Sequence, residues 1–119
     1  MTDDNTSSGA PGALPPSEIH RLMTTVEIAP GAIVSRMLMR SAGGNVTAFA
    51  FDEDQSLAEH SAPFDALVQL LDGELVVIIA GEEYVLSAGD AIVMPADVPH
   101  AVRAPAPAKW MLVMLKTPE

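Results

Sequence analysis

The sequence predicts a small all-β domain, a sandwich or barrel of short strands, and three observations carry that expectation. Turn residues recur at short intervals, at Pro30-Gly31, Gly43-Gly44, Asp72-Gly73, Gly81-Glu82, Ala88-Gly89-Asp90 and from Pro95 to Pro99. Between them lie runs of about six to eight residues rich in Val, Ile, Leu, Met and Phe, the length and composition of strands. Helical spacing occurs only once and briefly, which excludes alternating strands and helices.

In chain order, residues 1–17 (MTDDNTSSGAPGALPPS) offer almost nothing to bury and read as a flexible tail ahead of a domain over 18–119. Ile19, Leu22 and Met23 stand at i, i+3 and i+4, a short helical turn that Ser17 is placed to cap. Strands are expected at Ile33–Arg40, Asn45–Phe51, Phe64–Leu71, Glu74–Ala80, Glu83–Leu86, Ala91–Met94, His100–Arg103 and Lys109–Lys116. Asp72-Gly73 is the strongest hairpin signal among the turns, because glycine supplies the positive φ of a tight primed turn. Leu75–Ile79 and Trp110–Leu115 are apolar at successive positions, hence on both faces. One face covers the core, and the other predicts a homodimer interface.

Composition limits what such a domain does. Its 119 residues are the length of one domain, and 49% hydrophobic against 18% charged residues is a globular balance. No cysteine occurs, so disulfides and thiolate metal sites are excluded, in keeping with a reducing cytoplasm. The N-terminus lacks a basic stretch followed by an apolar one, and no apolar run approaches the ~20 residues of a membrane span. A net charge of −10 with only six Lys and Arg repels nucleic acid and anionic membranes.

Two stretches carry a more specific signal. In GDAIVMPADVPHAVRA, Gly89, Pro95 and His100 stand at fixed offsets; in DQSLAEHSAPFDALVQLLDG, so do His60 and Gly73, with fifteen residues between Gly73 and Gly89. These resemble the two motifs of the cupin superfamily, G-x5-H-x-H-x3,4-E-x6-G and G-x5-P-x-G-x2-H-x3-N, in the register of compact one-domain bacterial cupins. The resemblance implies a cupin-type double-stranded β-helix, a jelly-roll barrel. It also marks departures. Asp54 and Asp97 replace glycines, Ala62 the second histidine, Ala66 the glutamate and Ala104 the asparagine.

Family metal sites use three histidines and one glutamate, of which His60 and His100 remain. They imply a reduced site for one divalent ion (Zn, Mn, Fe or Ni), or two imidazoles meeting the polar end of a ligand. Alternation places Ala62, Phe64, Ala66, Val68 and Leu70 on the face of His60, whereas Glu59, Asp65 and Gln69 fall on the other. His20 belongs to neither motif and reads as a surface residue. Ser56 and Ser61 flank His60, but nothing in the sequence sets an oxyanion hole beside them.

Three functions follow from these residues. The first is a site for a small, largely apolar molecule, with His60 and His100 as polar anchors and Phe64 and Met94 in the wall. The second is a metal-dependent enzyme of dioxygenase or isomerase type, and the third a module that only dimerises. Alanine at two ligand positions favours the first over the second.

Overall fold

A computed structural model describes residues 12–116. Among them the chain forms one short 3₁₀ turn, Leu22–Thr24, and nine strands: β1 (Ile33–Ser41), β2 (Gly44–Phe51), β3 (Ser56–His60), β4 (Phe64–Asp72), β5 (Glu74–Ile79), β6 (Glu82–Ser87), β7 (Ala91–Met94), β8 (His100–Arg103) and β9 (Ala108–Lys116). Two antiparallel sheets face each other, one in the order β1-β2-β9-β4-β7 and one in the order β3-β8-β5-β6. The chain passes back and forth between them, which is the jelly-roll arrangement.

The main core lies between the sheets. Phe51, Val68, Leu70, Leu75, Val77, Leu86, Met94, Val102 and Trp110 are buried there, drawn from alternate positions of both sheets. The expected alternation along β4 holds: Ala66, Val68 and Leu70 are all buried in this core. A second cluster covers the outer face of the five-stranded sheet, where Leu14 and Ile28 of the N-terminal segment pack over Val26, Leu38, Ala48, Ala50 and Met111.

Two cations of the sheet hold that segment in place. Arg36 donates from Nε to the Gly12 carbonyl (2.6 Å) and from Nη1 to the Thr25 carbonyl (3.2 Å). Lys109 Nζ donates to the Met23 carbonyl (2.7 Å) and pairs with Glu27 (3.3 Å). The Leu14 amide donates to the Leu38 carbonyl (2.8 Å), beside the bulge between Met37 and Met39. Of the expected tail, residues 1–11 lie outside the described residues.

Several local expectations are corrected. Ser56–His60 (SLAEH) is a strand that composition does not announce, because Leu57 is its one strongly apolar residue. Asp72-Gly73 does not close a hairpin. β4 and β5 belong to different sheets, and Gly73 (φ 91°) carries the chain from one to the other. The primed turn is instead Ala80-Gly81 between β5 and β6, with φ of 52° and 83°. Ser17 has φ of 63° and caps nothing, and Arg21 precedes a single 3₁₀ turn, leaving Ile19 94% exposed.

The two segments expected to pair with a second copy lie on different sheets. The outward side chain of β5, Val76, is buried within the chain, lying between Val85 and Arg103 in register. Arg103 reaches Glu83 across it (3.2 Å). The second expected segment, Trp110–Leu115, lies in β9 of the other sheet, where its Val113 stands beside Val46 and Met39 on an apolar outer face across β1, β2 and β9. Met39 and Leu115 are about three-fifths exposed, at 61% and 60%. No helix among the described residues is long and apolar enough to cross a membrane.

Candidate functional site

The site is built at one end of the barrel by two neighbouring strands. β3 and β8 pair at Leu57 and Val102, slip at a bulge, and pair again at His60 and His100. Because directly paired residues point to the same face, the two imidazoles meet. Their ring centroids are 4.5 Å apart with planes inclined at 70°. His100 is 6% exposed and sits deep, whereas His60 lies at the rim.

The hydrogen bonds fix which nitrogen each ring presents. His60 Nδ1 lies 3.0 Å from the Ala58 carbonyl, and His100 Nδ1 lies 3.1 Å from the Val98 carbonyl. A carbonyl oxygen only accepts, so each Nδ1 carries a hydrogen and each neutral ring keeps its lone pair on Nε2. The backbone two residues upstream thus orients both rings alike. His20 is the reverse case. Its Nε2 bonds the Pro15 carbonyl (3.1 Å) on the outer face, far from this pair in sequence and fold.

The loop from Pro95 to Pro99 presents His100 and is itself pinned. The Ala96 amide donates to Asp65 Oδ1 (2.9 Å) and the Asp97 amide to the Ala62 carbonyl (2.7 Å). Pro99 accepts from the Ala80 amide (2.9 Å). Asp65, the nearest carboxylate to the missing glutamate in sequence, is therefore engaged with the loop. Asp97 and Asp54, both standing where the motifs have glycine, have φ of 65° and 69°, so the left-handed backbone is kept with a residue that tolerates it.

His60 and His100 open onto a cavity of about 60 Å³ lined by Ala62, Phe64, Ala66, Met94, Trp110 and Met114, with Leu57, Val102 and Leu112 completing the wall. All four residues named from the sequence, His60, His100, Phe64 and Met94, border it. Trp110, Leu112 and Met114 join them in the wall, since positions 110, 112 and 114 share one face of β9 by simple alternation. Trp110 is wedged against Phe49 (stacked, 4.5 Å) and Phe51 (edge-on, 5.3 Å). Neither Ser56 nor Ser61 reaches the cavity wall.

A resident hard cation is poorly served here. Among the described residues, no group of three or more His, Cys, Asp or Glu side chains is placed to hold a metal ion. Open catalytic centres keep about three such protein ligands. Here Ala62 and Ala66 occupy the remaining positions, so the two imidazoles stand without a third such ligand in an apolar wall. Away from this site, the Gly31 amide, then that of Glu53, holds the Asp52 carboxyl below its ordinary range at the turn after β2.

Comparison with known proteins agrees with this fold. A conserved protein of unknown function from Streptococcus pyogenes superposes with a TM-score of 0.84 at 32% identity, over 89% of this chain and 93% of its own. A cupin 2 conserved barrel domain protein from Leptotrichia buccalis gives 0.77 at 36% identity, over 80% of this chain but 46% of the other. A cupin superfamily protein from Desulfitobacterium hafniense gives 0.81 at 24% identity, over 87% and 95%, a likeness of fold alone. No curated protein matches the chain significantly. The family model described as the cupin domain matches residues 49–114, the span that contains the His pair and every wall residue of its cavity. The chain belongs to the cupin family.

Proposed function

We propose that the barrel mouth is a binding site for a very small ligand, gripped by the Nε2 lone pairs of His60 and His100 and enclosed by Phe64 and Met94. The observation that carries this reading is the shared tautomer. Two adjacent imidazoles, each bonded through Nδ1 to a backbone carbonyl and so keeping Nε2 as an acceptor, border one apolar cavity. An occupant must bring an O–H or N–H hydrogen, or a positive charge, to that pair and apolar surface everywhere else. At about 60 Å³ the cavity has room for only a few heavy atoms, against roughly 300–1,000 Å³ for a drug-sized site.

Binding rather than catalysis is favoured by the wall. Besides the two imidazoles it holds no Ser, Thr, Asp, Glu or Lys, so it offers no acid, base or nucleophile other than those rings. Nuclear magnetic resonance titration of the full chain with pyrazole, isopropanol and Zn²⁺ tests the reading. At least one probe is expected to shift both imidazoles together with the Phe64 ring and the Met94 methyl, and the shifts vanish in His60→Ala/His100→Ala. Probes that leave both rings untouched, or shifts that persist in the double variant, would overturn it.

A further inference from the structure

The outer face of the five-stranded sheet carries a cavity that shares no lining residue with the histidine site. Leu38, Val46 and Met111 form its floor, and Leu14, Pro15 and Leu22 of the N-terminal segment form the facing wall. Strict alternation would turn either Leu38 or Met39 away, but the bulge between Met37 and Met39 lets both neighbours line it. The wall is held at fixed points. Hydrogen bonds from Arg36 to the Gly12 carbonyl and from the Leu14 amide to the Leu38 carbonyl tie the segment to β1, and His20 bonds back to the Pro15 carbonyl. The cavity measures about 410 Å³, within the roughly 300–1,000 Å³ of sites that take small organic molecules.

A second cavity of about 310 Å³ adjoins it toward the turn between β1 and β2, with Met39, Arg40 and Val46 common to both. Among the described residues, Arg40 is the one formally charged side chain in either lining, and no Asp or Glu borders them. In a chain of net charge −10 with only six Lys and Arg, an apolar trough edged by a cation and no carboxylate runs against the charge of the whole molecule.

An occupant of this trough must be apolar along most of its length and bring an anionic end to a planar guanidinium, whose fork matches a carboxylate. One guanidinium balances a single negative charge, whereas a phosphate monoester carries nearly two at neutral pH. We propose that the groove binds an apolar monocarboxylate, a small organic acid with its carboxylate on Arg40 and its aromatic or aliphatic body over Leu38, Val46 and Met111.

The test is calorimetric and nuclear magnetic resonance titration of the full chain with cinnamate and with cinnamamide, which has the same shape and no charge. Cinnamate is expected to shift the methyls of Leu38, Val46 and Met111 while the signals of Phe64 and Met94 stay in place. The amide is expected to bind about tenfold more weakly or worse, the loss of one charged hydrogen-bonding pair. Arg40→Gln, its fold checked by a thermal melt, is expected to lower the affinity for cinnamate to that for the amide. Equal affinity of the parent chain for acid and amide would overturn the proposal, and that comparison needs no variant to fold. Unchanged affinity for cinnamate in Arg40→Gln would overturn it too. So would a dimer, seen by light scattering, in which these methyls are covered and neither probe moves them, because the groove would then belong to a second copy.

Discussion

Gly73→Ala is expected to cost more than about 3 kcal/mol of stability, a large share of the roughly 5–15 kcal/mol that holds an ordinary domain folded. Gly73 has φ of 91°, a region in which an L side chain costs about 1–2 kcal/mol. The larger part comes from crowding. A Cβ at this position would fall onto the Pro107 carbonyl oxygen, with the Ala108 Cα also within contact distance. Both are backbone, and both lie where the chain enters β9, the strand shared by β2 and β4, so neither has room to yield. Gly89→Ala is the matched control. Its φ is 95°, yet nothing stands within 4 Å of the added carbon, so only the conformational cost applies. Urea melts of the two variants separate the effects; equal losses would show that the close approach of β9 is not what fixes glycine at 73.

Trp110→Ala is expected to cost about 3–5 kcal/mol, which lowers the melting temperature by more than about 10 °C in a domain of this size. Trp110 is 1% exposed, stacked on Phe49 and edge-on to Phe51, and it also walls the histidine cavity. Its removal merges a core void with that cavity. Trp110→Phe is the sharper variant. The indole Nε1 is buried with no hydrogen-bond partner among the described residues, and an unpaired buried donor costs about 1–3 kcal/mol by itself. Phenylalanine loses some volume but removes that donor, so its melting temperature is expected to fall by less than half as much as that of the alanine variant. An equal fall for both would mean that the indole N–H is not a liability.

Most of the fold was legible because its signals are local. Turn residues separate the strands, and period-two alternation places Ala66, Val68 and Leu70 in the core. Ser56–His60 escaped notice because its pairing with β8 is set by partners some forty residues away and not by its own composition. Asp72-Gly73 misled for a related reason. A glycine with positive φ serves a hairpin and a passage between sheets equally well, and only the tertiary approach of Pro107 distinguishes them.

The candidate site was legible in its histidines, through motif register, and in its missing ligands. Which nitrogen each ring presents was not, since that depends on the Ala58 and Val98 carbonyls bending back to Nδ1. Nor was the flanking of Ala66 by Met94 and Met114, which needs the registers of three strands at once.

The orientation of those two rings is the claim from which the proposed chemistry follows, and long-range proton–nitrogen correlation of the imidazoles in the full chain tests it most directly. At a pH where the rings are neutral, His60 and His100 are predicted to be protonated on Nδ1, each with a pyridine-like Nε2. His20, bonded through Nε2 to the Pro15 carbonyl, is predicted to show the opposite tautomer and so provides an internal reference. A pyrrole-like Nε2 on either His60 or His100 would contradict the prediction, because that ring would then present a hydrogen to the cavity where a lone pair is required.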